Sequence, residues 1–287
     1  MRRYLEILRA PHVSALILSV LLARLPVGIN SIAIVLFLRA ETGSFVIAGA
    51  VAGALSAGSG VGAPVQGRLV DRFGARRVLL PLAVGHAAAL GALVAVTKLD
   101  APTIAALTCG FVAGFVVPPA SSVLRSLWSD VLPARLHQAA YALDSTMIEL
   151  VFITGPLLTA LIATVTSPAA ALIVSAAAVV TGTAVFTALP PTRRLVADEH
   201  SERHFLGALT SPGVRTLVFA SLPTGVGIGM IEVGIPAFSR AEGAAAAAGV
   251  LLAIWSFGPG SAACCTERSR AAGACIARTC WWVGCCL

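Results

Sequence analysis

Four ionisable side chains stand inside long apolar stretches of this 287-residue chain: Arg24, Asp144, Glu149 and Glu232. A charge at the centre of an apolar helix in lipid costs at least about 2.5 kcal/mol, so it is kept where it meets a partner, a water-filled cavity or a proton. A carboxylate beside an arginine has two uses. As a static pair it locks two helices together; as a working site it takes up a proton whenever the arginine is drawn away. Arg24 and Glu149 fall at similar depth by residue count, and the expectation is that these two meet. Asp144, a turn or two from the inner end of its run, is expected to contact water or the basic hairpin that follows the second apolar run.

The elements that must position these groups are legible in the composition. The chain is 57% hydrophobic and 11% charged, whereas roughly a quarter of an ordinary soluble domain is charged. Separate apolar runs of about 20 residues predict an all-α, polytopic helical membrane protein. They show no period-two alternation, which argues against a β-barrel. Helices are expected over about 13–38, 45–66, 78–96, 103–124, 139–163, 169–189, 214–238 and 243–261. The chain divides accordingly into a six-helix N-terminal bundle (1–189), a cytoplasmic linker (190–212), the first two helices of an incomplete second bundle (213–261) and a cysteine-rich tail (262–287). Gly49, Gly53, Ala57, Gly60 and Ala63 give helix two a small-residue face suited to close packing in lipid. Pro118 and Pro119 predict a bend or local unwinding of helix four.

Basic residues set the orientation. Arg2, Arg3, Arg9, Arg68, Arg72, Arg76, Arg77, Arg125, Arg135, Arg193, Arg194 and Arg203 fall in alternate, inner segments, against Arg39, Lys98 and Arg240 in the outer turns. This bias predicts a multi-pass protein of the cell membrane with its N-terminus cytoplasmic. It also accounts for the net charge of +7 through topology and anionic lipid headgroups, without nucleic acid. The first apolar run is too long for the core of a cleavable signal.

Between the second and third runs lies Gly-Arg-Leu-Val-Asp-Arg-Phe-Gly-Ala-Arg-Arg-Val, residues 67–78. Gly67 is read as the residue that allows a close turn, and Asp71 as an acid placed near a helix N-terminus. The joint placement of Gly67, Asp71, Gly74, Arg76 and Arg77 resembles the loop signature of the major facilitator superfamily. That resemblance implies two six-helix halves with a small-molecule substrate between them. It implies secondary active transport by alternating access, and a role for Asp71, Arg72, Arg76 and Arg77 in holding the cytoplasmic gate. Proton-coupled efflux of small amphipathic or apolar compounds is the expected activity, with lipid bilayer, substrate and protons as partners. Gly155-Pro156 in helix five matches the start of the family's antiporter signature and is otherwise a common helix kink. The paired glycines that should follow are replaced by Thr159 and Ala160. The family's arginine within helix four has no counterpart in the expected span, 103–124, which is uncharged.

Other chemistries find no residues. His12, His86, His137, His200 and His204 lack metal-ligand spacing with acids or early cysteines, and no glycine-rich phosphate loop is present. No cofactor, metal or enzymatic activity is expected. Cys109 stands alone before a run of Cys264, Cys265, Cys275, Cys280, Cys285 and Cys286. Adjacent cysteine pairs suit neither a zinc site nor a cytoplasmic disulfide set. A shifted reading frame or truncated gene from about Pro259 is the expectation, with a genuine short variant as the other reading, so that the alternative to an active transporter is a non-transporting membrane remnant.

Overall fold

The computed structural model describes residues 2–194, 211–243, 250–251 and 254, and among these no strand occurs. A short amphipathic helix, α1 (Arg2–Arg9), precedes the first span, α2 (Val13–Thr42). Then come α3 (Phe45–Phe73), α4 (Ala75–Lys98), the pair α5 (Thr103–Phe115) and α6 (Ala120–Val131), α7 (Ala134–Val165) and α8 (Pro168–Ala188). A single turn, α9 (Pro190–Arg194), opens the linker, and α10 (Pro212–Ala241) follows it. Counting α5 and α6 as one span, seven of the described segments are long and apolar enough to cross a membrane. Most of the expected eighth helix and the whole tail at 262–287 lie outside the described residues.

Local sequence ends the helices where it should. Ser44 and Ser167 cap α3 and α8 by accepting from the Ile47 and Ala170 amides, which removes one orphan donor from each helix start. Gly43 closes α2 at φ 74, a conformation that only glycine adopts without strain. The basic hairpin is tighter than the sequence suggests. Gly67, Asp71 and Arg72 are still helical in α3, Arg76 and Arg77 already lie in the first turn of α4, and Gly74 alone separates the helices. The turn glycine is therefore Gly74, at φ 81, and not Gly67. Asp71 sits in the last turn of α3 rather than at a helix N-terminus of its own.

Helix α2 is the central post. It packs against α8, α7 and α3, while α3 packs chiefly on α5 and α4 on α8 and α5. Close approach uses glycine: a Cβ on Gly182 would collide with the backbone at Ala23, and one on Gly114 with the Leu55 carbonyl. Two apolar cores result. The outer one gathers Ile34, Phe37, Leu90, Leu93 and Leu172; the inner one gathers Leu16, Leu79, Leu124, Trp128 and Phe186. Along α2 the inner core ends at Ala23 and the outer begins at Ile29, and Arg24 falls between them.

Candidate functional site

Arg24 is only 4% exposed, and its partner is Asp144, with Nη1 2.6 Å from Oδ1 of a carboxylate that is 1% exposed. The other oxygen, Oδ2, lies 2.7 Å from Nε of Arg125, whose side chain is 51% exposed. One carboxylate from α7 is thus held by guanidinium groups from α2 and α6. The expected pairing of Arg24 with Glu149 is not what the structure places together. Glu149 is half-buried and forms no ion pair or hydrogen bond among the described residues.

Helical phase and side-chain direction explain the difference. A Cβ on Gly28 would collide with the Val151 carbonyl, and one on Gly155 would lie 2.6 Å from Gly28 Cα. Val151 and Gly155 therefore face α2. Asp144 is seven residues before Val151, about two turns and nearly the same face, whereas Glu149 is two residues before it and points roughly to the other side. Arg24 stands level with Glu149, but side chains of a helix lean toward its N-terminus. The long guanidinium of Arg24 therefore reaches down to Asp144. Gly155-Pro156 is the contact at which α2 and α7 cross, and Pro156 is buried inside α7.

Arg125 is the residue that sequence reasoning misplaced. The sequence places it in an inner loop, yet helix four continues through α6 to Val131, leaving only Leu132 and Pro133 before α7. Span four therefore does carry a charge. A second polar set has no counterpart among the sequence expectations. His86 on α4 brings Nδ1 to 2.7 Å from the Ala113 carbonyl and Nε2 to 3.0 Å from the Asn30 amide nitrogen. A carbonyl only accepts, so Nδ1 carries the hydrogen and Nε2 accepts from Asn30. Ser175 on α8 completes the chain by donating to Asn30 Oδ1 at 2.5 Å. On α3, Gln66 donates through Nε2 to the Phe115 carbonyl. The signal was available: Pro118 and Pro119 have no N–H, so carbonyls before them lose helical donors, and polar side chains in neighbouring spans are the available substitutes.

The hairpin residues are placed differently. Asp71, Arg72, Arg76 and Arg77 are exposed, and none forms an ion pair among the described residues. Arg72 lies over the Phe73 ring at 5.3 Å. Glu232 belongs to α10, and its side chain is outside those described. Among the described residues, no three His, Cys, Asp or Glu side chains cluster as metal ligands would.

Comparison with curated proteins gives no match. The family model described as Major Facilitator Superfamily matches residues 16–278, past Pro259 and over nearly the whole length. With apolar spans, an all-α fold and the Gly67–Arg77 hairpin in agreement, the chain belongs to the Major Facilitator Superfamily of secondary transporters.

Proposed function

We propose that this protein is a proton-coupled exporter of small amphipathic or apolar compounds in the cell membrane, with its N-terminus cytoplasmic and Asp144 as the coupling carboxylate. The observation that carries the reading is the clamp on Asp144: a buried carboxylate held by arginines from two different helices. The two arginines supply the counter-charge that a buried carboxylate needs, and a conformation that draws both away leaves that charge to be met by a proton. Helices α2, α6 and α7 thereby gain two arrangements that differ by one proton, which is what alternating access needs. Glu149, near mid-depth and without an ion pair among the described residues, serves as the second proton or substrate contact, and Glu232 on α10 faces the same requirement from the second half. Asp71, Arg72, Arg76 and Arg77 are proposed as the cytoplasmic gate, closing against the second half.

The test uses inverted membrane vesicles energised to an acid interior and a panel of fluorescent amphipathic dyes, ethidium among them. Uptake should collapse with a protonophore and be lost in Asp144→Asn at equal membrane abundance. Dye uptake that persists unchanged in that variant, or that ignores the protonophore, refutes the coupling role.

A further inference from the structure

The two halves of span four belong to different packing groups. Helix α5 lies against α3 and α4, whereas α6 lies against α2, α7 and α9. The joint between them, residues 116–119, is where Pro118 and Pro119 interrupt the hydrogen-bond ladder. Ahead of that break, the Val117 amide turns to the Gly114 carbonyl at 3.2 Å instead of continuing the α-helical pattern. The carbonyls of Ala113 and Phe115 are then without helical donors. In hydrocarbon such groups must be satisfied from elsewhere. They are satisfied by His86 from α4 and Gln66 from α3.

Both caps are built into their surroundings. His86 is 0% exposed and Gln66 4%. Gly62, one turn before Gln66, leaves open the space beside the Phe115 carbonyl, which a Cβ there would strike. His86 is itself held from behind by Asn30, six residues beyond Arg24 on α2. On the far side of the joint, Arg125 is six residues past Pro119 and reaches Asp144.

We propose that Gln66 and His86 are positioning residues for the charge cluster: by capping the Phe115 and Ala113 carbonyls they fix the direction in which α6 leaves the break, and so hold Arg125 on Asp144. They touch neither Asp144 nor Arg125 and act through the backbone joint. The part of the proposal that concerns transport rests on the coupling role of Asp144; the part that concerns geometry does not. The elements packed against α7 are α1, α2, α6 and α8. Their charged residues are Arg2, Arg3, Glu6 and Arg9 on α1, Arg24, Arg39 and Glu41 on α2, and Arg125 and Asp130 on α6, while α8 has none. Among the described side chains, Arg24 and Arg125 are those that reach Asp144. On α7 itself, Arg135 pairs with Glu6 and His137 bonds the Leu132 carbonyl, and Glu149 lies on another face.

Two readouts on the full chain test this. In a background with its seven cysteines changed to serine, spin labels at Thr108 on α5 and Ser129 on α6, both exposed, report the angle at the joint. His86→Leu and Gln66→Met should each move or broaden the distance distribution beyond the parent's width. His86→Asn, whose amide N–H falls near the place of Nδ1–H, should restore it. Gln66→Met roughly keeps volume and removes the amide that caps Phe115, so it gives the reading should His86→Leu fail to accumulate. A parent-like distribution in Gln66→Met, or no rescue by His86→Asn, overturns the proposal. The second readout is the pH profile of dye uptake. His86→Leu or Gln66→Met should shift its midpoint in the same sense as Arg125→Gln, and should add nothing in the Arg125→Gln background. An independent further shift there overturns positioning through Arg125. Should Arg125→Gln itself leave the profile unmoved, positioning of the transport step through Arg125 is overturned. Asp144 keeps Arg24 as its buried partner, so its coupling role stands or falls on Asp144→Asn, and the distance measurement still decides whether the caps set the joint.

Discussion

Replacing Asp144 alone leaves Arg24, 4% exposed, as a buried cation without a counter-charge. Breaking a buried pair in this way costs about 3–5 kcal/mol, because the remaining charge keeps its desolvation penalty. Arg125 adds little to that loss, since its half-exposed side chain can turn to water or headgroups. Asp144→Leu should therefore lose most of its folded population on mild heating in detergent. Removing both charges relieves the penalty: Arg24→Leu/Asp144→Leu should be close to the parent or above it. The double-mutant cycle should then give a coupling of at least about 2 kcal/mol, far outside the few tenths typical of independent sites. A control comes from Glu149, which has no partner among the described residues. Arg24→Leu and Glu149→Leu should add within about 0.5 kcal/mol. Size-exclusion chromatography of a fluorescent fusion after a temperature ramp measures each corner of both cycles. Strict additivity for Arg24 with Asp144, or strong coupling of Arg24 with Glu149, would refute the geometry and the phase argument behind it.

Other outcomes follow from the same contacts. Gly155→Leu and Gly28→Leu drive a side chain into the opposing backbone and should each cost about 1–3 kcal/mol or more, whereas Gly60→Ala, which meets open space, should be tolerated in the same ramp. Arg135→Ala, which removes an exposed bidentate pair with Glu6 at 2.9 and 3.0 Å, should leave thermal survival unchanged, as surface pairs contribute little. Reporter fusions after Thr97 should read outside and those after Arg77 inside, given the bias of basic residues to one side; inversion at these two sites would overturn the orientation.

The spans were legible in the sequence because each is specified by its own residues. About twenty apolar residues between polar turns must form a helix in lipid wherever their neighbours lie. The Gly67–Arg77 hairpin was legible for the same reason: its charges and glycines act within one turn of chain. Its fine structure was not, since the sequence points to Gly67 as the turning residue, whereas α3 runs through that position and the backbone turns at Gly74.

What only the tertiary structure decided is who meets whom across helices. Depth along a span can be counted, so Arg24 and Glu149 looked matched. Contact depends also on the rotation of α7 about its axis, which is set where Gly28 and Gly155 let two backbones touch. That rotation presents Asp144 and turns Glu149 aside. The same holds for Arg125. The prolines before it announce a break, yet whether the chain beyond them is loop or helix depends on packing, and Leu124, Leu127 and Trp128 bury α6 in the inner core. Gln66 and His86 are single polar residues in apolar runs, and nothing local says what they bond. Their partners are carbonyls of another helix, freed by prolines some thirty to fifty residues further along the chain. Hydropathy is a property of a segment, whereas satisfaction of a buried polar group is a property of the assembled bundle.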